Sequence, residues 1–291
     1  MTVAIIRHGE VPHRMARVAS RRSVLSGCGV AAVCGLAGCL SGSRDVETTI
    51  TESYTADELT EVAVETSRGD VDVHTTGRNA IDIEGRKAAI SRDDLEAIGL
   101  VTAVDDGVLE LSVDRDDSRS LFGLRPGPAL DLSVAVPDGL ALRRVDTNTG
   151  DVGVTDVPGD LTATTTTGDV SLIGVDGTVS ATAETGTVAV TDPTSIDRLE
   201  TEAGSVTASL DGIDGDASIE TTTGAVDLRL PDRLDLTLEI TTETGEITVT
   251  GVDDLPEMAG DSLIEAVVGD GSHRLAVTTE AGDVTVTGRE R

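Results

Sequence analysis

Aspartate recurs beside glycine at Asp151, Asp169 and Asp283, and carboxylates lined up along one edge are the oxygen donors that Ca²⁺ takes. The nonapeptide calcium-repeat pattern is absent, and 53 acidic residues place aspartate everywhere. Solvated surface is the favoured reading, and no metal site is assigned. His74 and His273 lie 199 residues apart, with no partner visible in the sequence, so neither a metal pair nor an acid–base pair is assigned to them. Arg68-Gly69-Asp70 spells the integrin tripeptide. A repeat described below already demands Gly-Asp at that place, and the match is read as coincidence. Serine is common, but no Gly-x-Ser-x-Gly occurs, which leaves a serine nucleophile without support. The sequence names no catalytic residue and no cofactor.

The chemistry it does place is covalent attachment of lipid. Ser20-Arg21-Arg22-Ser23-Val24-Leu25 has the twin-arginine export pattern, and a mildly apolar stretch follows from Gly27 to Gly38. Twelve residues suit the core of a signal peptide and are too few to span a bilayer as a helix. The stretch ends in Leu36-Ala37-Gly38-Cys39, which resembles a lipobox: small residues for a peptidase, then a cysteine for the lipid. Leu25-Ser26-Gly27-Cys28 is rejected as the site because no apolar core separates it from Arg22. Cys28, Cys34 and Cys39 are the only cysteines. Cleavage before Cys39 would leave one thiol, occupied by lipid, and no disulfide framework. The start could be Met1 or Met15. The upstream Arg7-His8-Gly9 resembles the signature of histidine phosphatases, but an export segment follows it in place of an α/β domain.

Charge names the solvent. The chain carries −31, and residues 39–291 hold 17 basic against 52 acidic residues, near −35. One lysine, Lys87, stands against 21 arginines. Acid excess with lysine depletion suits concentrated salt, where the screening length falls to about 3 Å at 1 M and self-repulsion becomes tolerable. No basic patch exists, which excludes nucleic acid as a partner. Tyr54 and Phe122 are the only aromatic residues, which argues against base stacking and against a typical sugar-binding groove.

What must carry these features is a repeat. Thr147-x-x-Gly150-Asp151-Val152-x-Val154 returns as Thr165-x-x-Gly168-Asp169-Val170-x-Leu172, with later glycines at 186, 204, 224, 245 and 282 and an earlier one at 69. From Gly150 the intervals are 18, 18, 18, 20, 21 and 37 residues. Such a beat marks a stacked repeat whose units bury their faces only against neighbours. Apolar residues alternate on both sides of each glycine, as at Val179, Ala181 and Ala183, then Val188 and Val190. Period two makes these strands with one face buried. The threonines between are assigned to the wet face, and the glycines to corners needing φ > 0. A meander of antiparallel hairpins is the alternative. The constant unit length and matching side chains favour an all-β, single-domain β-solenoid, parallel β-helix-like, with about 18–21 residues per coil. Val152, Val170, Val188, Val206 and Val226 should then form one interior column. The organisation read is an extension plus signal peptide over 1–38, a lipidated polar tether over 39–58, and the solenoid over 59–291. Ser91–Leu100 is read as a turn or two of helix, and Asp114–Pro128 and Asp253–Ser272 as excursion loops.

Repeated Thr-x-x-Gly-Asp-(Val/Ile)-x-(Val/Leu) units behind a lipoprotein signal resemble the putative adhesin family of β-strand-repeat surface domains. The likeness spans Leu59 to Arg291 and rests on Gly69, Gly150, Gly168, Gly186, Gly204, Gly224, Gly245 and Gly282. It implies a β-solenoid and surface exposure. The export segment resembles those of haloarchaeal lipoproteins. The expectation is a non-catalytic adhesion, envelope-structure or protein-binding module on the extracellular face of the cytoplasmic membrane. It would be held there by lipid, with an envelope protein or glycan as its partner. Two alternatives remain open: a polysaccharide-active β-helix enzyme, and a sensor ectodomain for envelope stress.

Overall fold

The computed structural model describes residues 44–115, 127–231, 235–252, 258–260 and 262–288. The segment read as an export signal, with Arg21 and Arg22, the expected lipobox with Cys39, and most of the Asp114–Pro128 stretch lie outside them. In chain order the strands begin with β1 (Val46–Thr55), β2 (Glu61–Thr66), β3 (Val71–Thr76) and β4 (Ala80–Ala89). After a short helix, α1 (Arg92–Glu96), come β5 (Ile98–Asp105), β6 (Val108–Arg115), β7 (Ala129–Pro137), β8 (Ala141–Thr149) and β9 (Val152–Thr155). The regular middle holds β10 (Leu161–Thr167), β11 (Val170–Ile173), β12 (Thr178–Thr185), β13 (Val188–Thr191), β14 (Ser195–Ala203) and β15 (Val206–Ser209). It continues through β16 (Ala217–Thr223), β17 (Val226–Leu230), β18 (Leu236–Thr244) and β19 (Ile247–Thr250). The last strands are β20 (Met258–Ala259), β21 (Leu263–Val268), β22 (His273–Ala281) and β23 (Val284–Gly288).

Each repeat unit makes one coil. Its first strand joins an 11-stranded sheet, sheet A, the glycine turns the corner, and its second strand joins a 12-stranded sheet, sheet B. Like strands of successive coils pair in parallel with almost unbroken register. Val152, Val170, Val188, Val206 and Val226 are register partners, and Leu132, Val71, Val284 and Ile247 extend the column to nine coils. All nine side chains are buried. Neighbours stand about 4.8 Å apart at ordinary strand spacing. The two strands flanking each glycine lie in different sheets, so the chain is a β-solenoid and the hairpin meander is ruled out. Val157 and Val175, both buried, pack on the return path to the next coil, where Pro158 bridges Asp176 in parallel.

The stacking order departs from the order in sequence at both ends. The coil β2–β3 lies between β6–β7 and β8–β9, and β22–β23 lies between β16–β17 and β18–β19. The detours end in antiparallel strands: β4, then β1, beyond β7; β5 beyond β6; β21 beyond β18; β20 beyond β19. They cover the open faces of the terminal coils, as capping units do in repeat proteins. Tyr54 of β1 reaches across the first end to the Thr102 hydroxyl of β5, 2.9 Å away, and donates to Glu52.

These caps correct two expectations. Residues 46–55, assigned to a tether, form β1, which pairs with β4 over ten residues. The Asp253–Ser272 stretch contains β20 and β21. The turn of helix expected within Ser91–Leu100 is present at Arg92–Glu96, with the Ser91 hydroxyl accepting from the Asp94 N–H, and the chain enters β5 at Ile98.

Candidate functional site

The recurring corner is the one place where the same polar groups meet coil after coil. Its glycines stack. A Cβ on Gly150 would sit 2.1 Å from the Gly69 carbonyl oxygen, and a Cβ on Gly186 only 1.9 Å from that of Gly168. The contact continues through Gly204, Gly224, Gly282 and Gly245 in stacking order. Gly282 alone of the eight repeat glycines lacks a positive φ. Close stacking, besides the corner's backbone shape, therefore selects glycine here.

Two ladders run beside this column. The first threonine of the motif, assigned to the wet face, points inward instead. Thr147, Thr165, Thr201, Thr221, Thr242 and Thr279 are buried, and each donates its hydroxyl to a corner glycine carbonyl of the adjoining coil. Thr165 to Gly150 spans 3.0 Å and Thr201 to Gly186 spans 2.9 Å. A buried carbonyl lacking a second partner tolerates an apolar neighbour at some cost, and a donor removes that cost. The motif's one exception is Ala183, fully buried between Thr165 and Thr201 in register. Ala183→Thr is expected to complete the ladder by donating to Gly168, raising stability by about 1 kcal/mol. Thr165→Val should lower it by a similar amount. Denaturant midpoints of the two variants in molar KCl check both signs.

The second ladder is made of the aspartates after the glycines, begun by Asp131 at the same position of the β7 coil. Asp131 accepts from the Asp70 N–H at 3.1 Å, Asp70 from the Asp151 N–H at 2.9 Å, Asp151 from the Asp169 N–H at 2.8 Å, and Asp169 from the Thr187 N–H at 2.7 Å. Asp283 does the same for the Glu246 N–H at 2.9 Å. At a corner the N–H leaves the sheet ladder, and a carboxylate on the neighbouring coil satisfies it. The Gly-Asp of Arg68-Gly69-Asp70 is accounted for in this way. Burial, with Asp70, Asp131 and Asp151 alongside against the opposing His74, pushes the Asp72 carboxyl above its ordinary range. Among the described residues no group of three or more His, Cys, Asp or Glu is arranged to hold a metal ion. His74 lies on sheet B and His273 on sheet A, six coils along the stack, and they are not brought together.

The outer faces differ in chemistry. Sheet A carries exposed ion pairs: Arg144 with Asp146, Arg198 with Glu200 at 2.8 Å and Glu220 at 3.0 Å, and Arg274 with Glu239. Outward on sheet B, strands β9, β11, β13 and β15 present Gly153 and Thr155, Ser171 and Ile173, Ala189 and Thr191, and Thr207 and Ser209. None of these ionises, and Ile173 is 45% exposed. A shallow cleft of about 510 Å³ at the edge of this face is lined by Thr191, Thr207, Ser209, Arg229 and Thr287. A second, of about 490 Å³, lies at the first end beside Lys87, Glu96 and Asp114. There the Lys87 amine donates to the Ile98 carbonyl at 2.6 Å, and burial pushes its pKa down.

Exposed ion pairs contribute at most about 1 kcal/mol each and cannot offset the acid excess elsewhere. As KCl is lowered from molar to millimolar, the strand signal in circular dichroism should weaken and the melting temperature fall. An unchanged melting curve would show that repulsion does not limit this fold.

No helix among the described residues is long and apolar enough to cross a membrane. No curated protein matches the chain. Among the solved structures to which the chain is similar are a putative cell adhesion protein from Clostridium sporogenes, a putative adhesin from Bacteroides fragilis and a putative adhesin from Parabacteroides distasonis. The first is 11% identical, over 84% of this chain and 100% of the other, at a TM-score of 0.33. The second is 12% identical over 82% and 96%, at 0.34. The third is 12% identical over 83% and 97%, at 0.43. The Toastrack DUF4097 family model matches residues 32–287, almost the whole solenoid, and the chain belongs to that family.

Proposed function

We propose that this chain is a lipid-anchored contact module on the outer face of the cytoplasmic membrane, acting by adhesion to an envelope protein or glycan rather than by catalysis. The observation that carries the reading is the outer face of sheet B. On a chain near −35 it is held by parallel strands and presents no ionisable side chain along β11, β13 and β15, whereas at β9 the Asp72 carboxylate lies over Gly153. A partner can approach there without desolvating a carboxylate, which is costly. The repeated aspartates and threonines, the residues most available for chemistry, are engaged in holding coil to coil. A β-helix enzyme would instead gather acid and base on one flank.

Cys39 supplies the anchor in this reading and Arg21-Arg22 the export route. β1 begins at Val46, only seven residues beyond Cys39, so the capped first end would sit close to the bilayer and the rod would project from it. One acyl chain binds membranes only marginally, and stable retention requires two chains or further envelope contacts. Cys39→Ser is expected to shift the protein from the membrane fraction to the medium. Arg21→Lys with Arg22→Lys should leave precursor in the cytoplasm. Thr191→Glu, exposed at the end of β13 on the neutral face, should keep the fold and the membrane location while reducing capture of envelope material in high salt. A purified domain that degrades an envelope polysaccharide would replace this reading with the enzyme.

A further inference from the structure

The last repeat is not at the end of the stack. β22 is paired on both edges, to β16 on one side and β18 on the other, and β23 likewise to β17 and β19. β16–β17 and β18–β19 are consecutive in the chain yet separated in space by residues 273–288. The inserted coil therefore fills a slot that opens into both sheets.

The slot's two walls match each other as well as they match the coil between them. Ile219 and Ile240 both face Val277, Thr221 and Thr242 both face Thr279, and Val226 and Ile247 both face Val284. If the coil withdrew, the walls would meet in register, apolar on apolar and threonine on threonine. Gly245 would lie over Gly224 in the glycine column. By pattern, then, withdrawal need not leave two bare sheet edges in water. The link that would swing is Gly269 to Ser272. Gly269 and Gly271 have φ of +62° and +68°. The link is held by few bonds: the Asp270 N–H to Asp235 at 3.0 Å, and the Gly271 N–H to Val268 at 3.4 Å.

We infer that the slot is an exchange site, in which residues 273–288 of a second copy of this chain replace the resident coil and join the two molecules. Every ladder bond the resident coil makes is reproduced when the same segment arrives from another copy. The exchange exposes no carboxylate that the closed form hides, so molar salt does not oppose it. This inference stands on the strand order alone and does not depend on how the chain is tethered.

Ser218 and Ala276 are register partners across β16 and β22, both half-buried on the outward side. Parallel neighbours at about 4.8 Å fall within the Cα separation a disulfide accepts. The test uses the full chain with Cys28, Cys34 and Cys39 changed to serine. Ser218→Cys and Ala276→Cys are made in separate molecules and mixed in molar KCl. The mixture is warmed to the onset of unfolding, cooled, and mildly oxidised. Exchange predicts several-fold more covalent dimer in the mixture than in either variant alone. It also predicts that the double variant, oxidised within one chain beforehand, no longer exchanges with a tagged copy. A mixture that stays monomeric while the double variant closes internally overturns the inference. Failure of the double variant to close at all overturns it as well, since the resident register would then be wrong.

Discussion

Val188→Asp is expected to abolish cooperative folding of the rod in molar KCl. Val188 is fully buried at the middle of the interior column, in register with Val170 on one side and Val206 on the other. A carboxylate placed there has apolar neighbours along the column and no cation within the coil. Burying an unpaired charge costs many kcal/mol, and neutralising it still leaves a buried hydroxyl without a designed partner. A single domain has about 5–15 kcal/mol to lose. Each coil contacts only its neighbours, so the lesion should also uncouple the two halves and split one denaturation transition into two. Ala189→Asp is the control: one residue further along β13, on the outward side, it should cost less than about 0.5 kcal/mol. Comparable stability of the two variants by circular dichroism would contradict the interior column.

That contrast between residues 188 and 189 was legible in the sequence, because strand phase is local. Alternation and the fixed distance to the nearest glycine decide which side each residue faces, and every motif repeats the decision. The inward threonines were legible by the same rule. Thr165 shares the parity of Leu161 and Ala163, and counting back from Gly168 places it inside. Their abundance on the wet face hid this. The order of coils was not legible. Val226 pairs with Val284, which pairs with Ile247, yet by pattern Ile247 would fit beside Val226 just as well, and no local signal says which unit stacks next. β1 escaped because an edge strand at a capped end is only partly buried: Thr48, Thr49 and Ile50 are all intermediate, so alternation fades. The bonding of the aspartates was equally hidden, since Asp70 meets the Asp151 N–H across 81 residues.

Replacing Gly186 by alanine should destabilise the fold by about 3 kcal/mol or more, for two separable reasons. Its φ of +143° is one that a residue with a Cβ rarely adopts, at a cost of roughly 1–3 kcal/mol. The new methyl would also lie 1.9 Å from the Gly168 carbonyl oxygen, and relieving such overpacking costs a further ~1–3 kcal/mol. Two other glycines isolate the terms. Gly139 has a φ of +86° with open space where a Cβ would go, so Gly139→Ala reads backbone strain alone. Gly282 has no positive φ, yet its Cβ would lie 1.8 Å from the Gly224 carbonyl oxygen, so Gly282→Ala reads the stacking clash alone. The obstructing atom belongs to backbone bonded into both neighbouring coils, and it cannot retreat without prising the stack apart. Gly282→Ala should therefore fall nearer to Gly186→Ala than to Gly139→Ala in denaturant midpoint. If Gly282→Ala is as mild as Gly139→Ala, the coils are free to spread, and corner shape rather than close stacking is what keeps glycine at this position of the repeat.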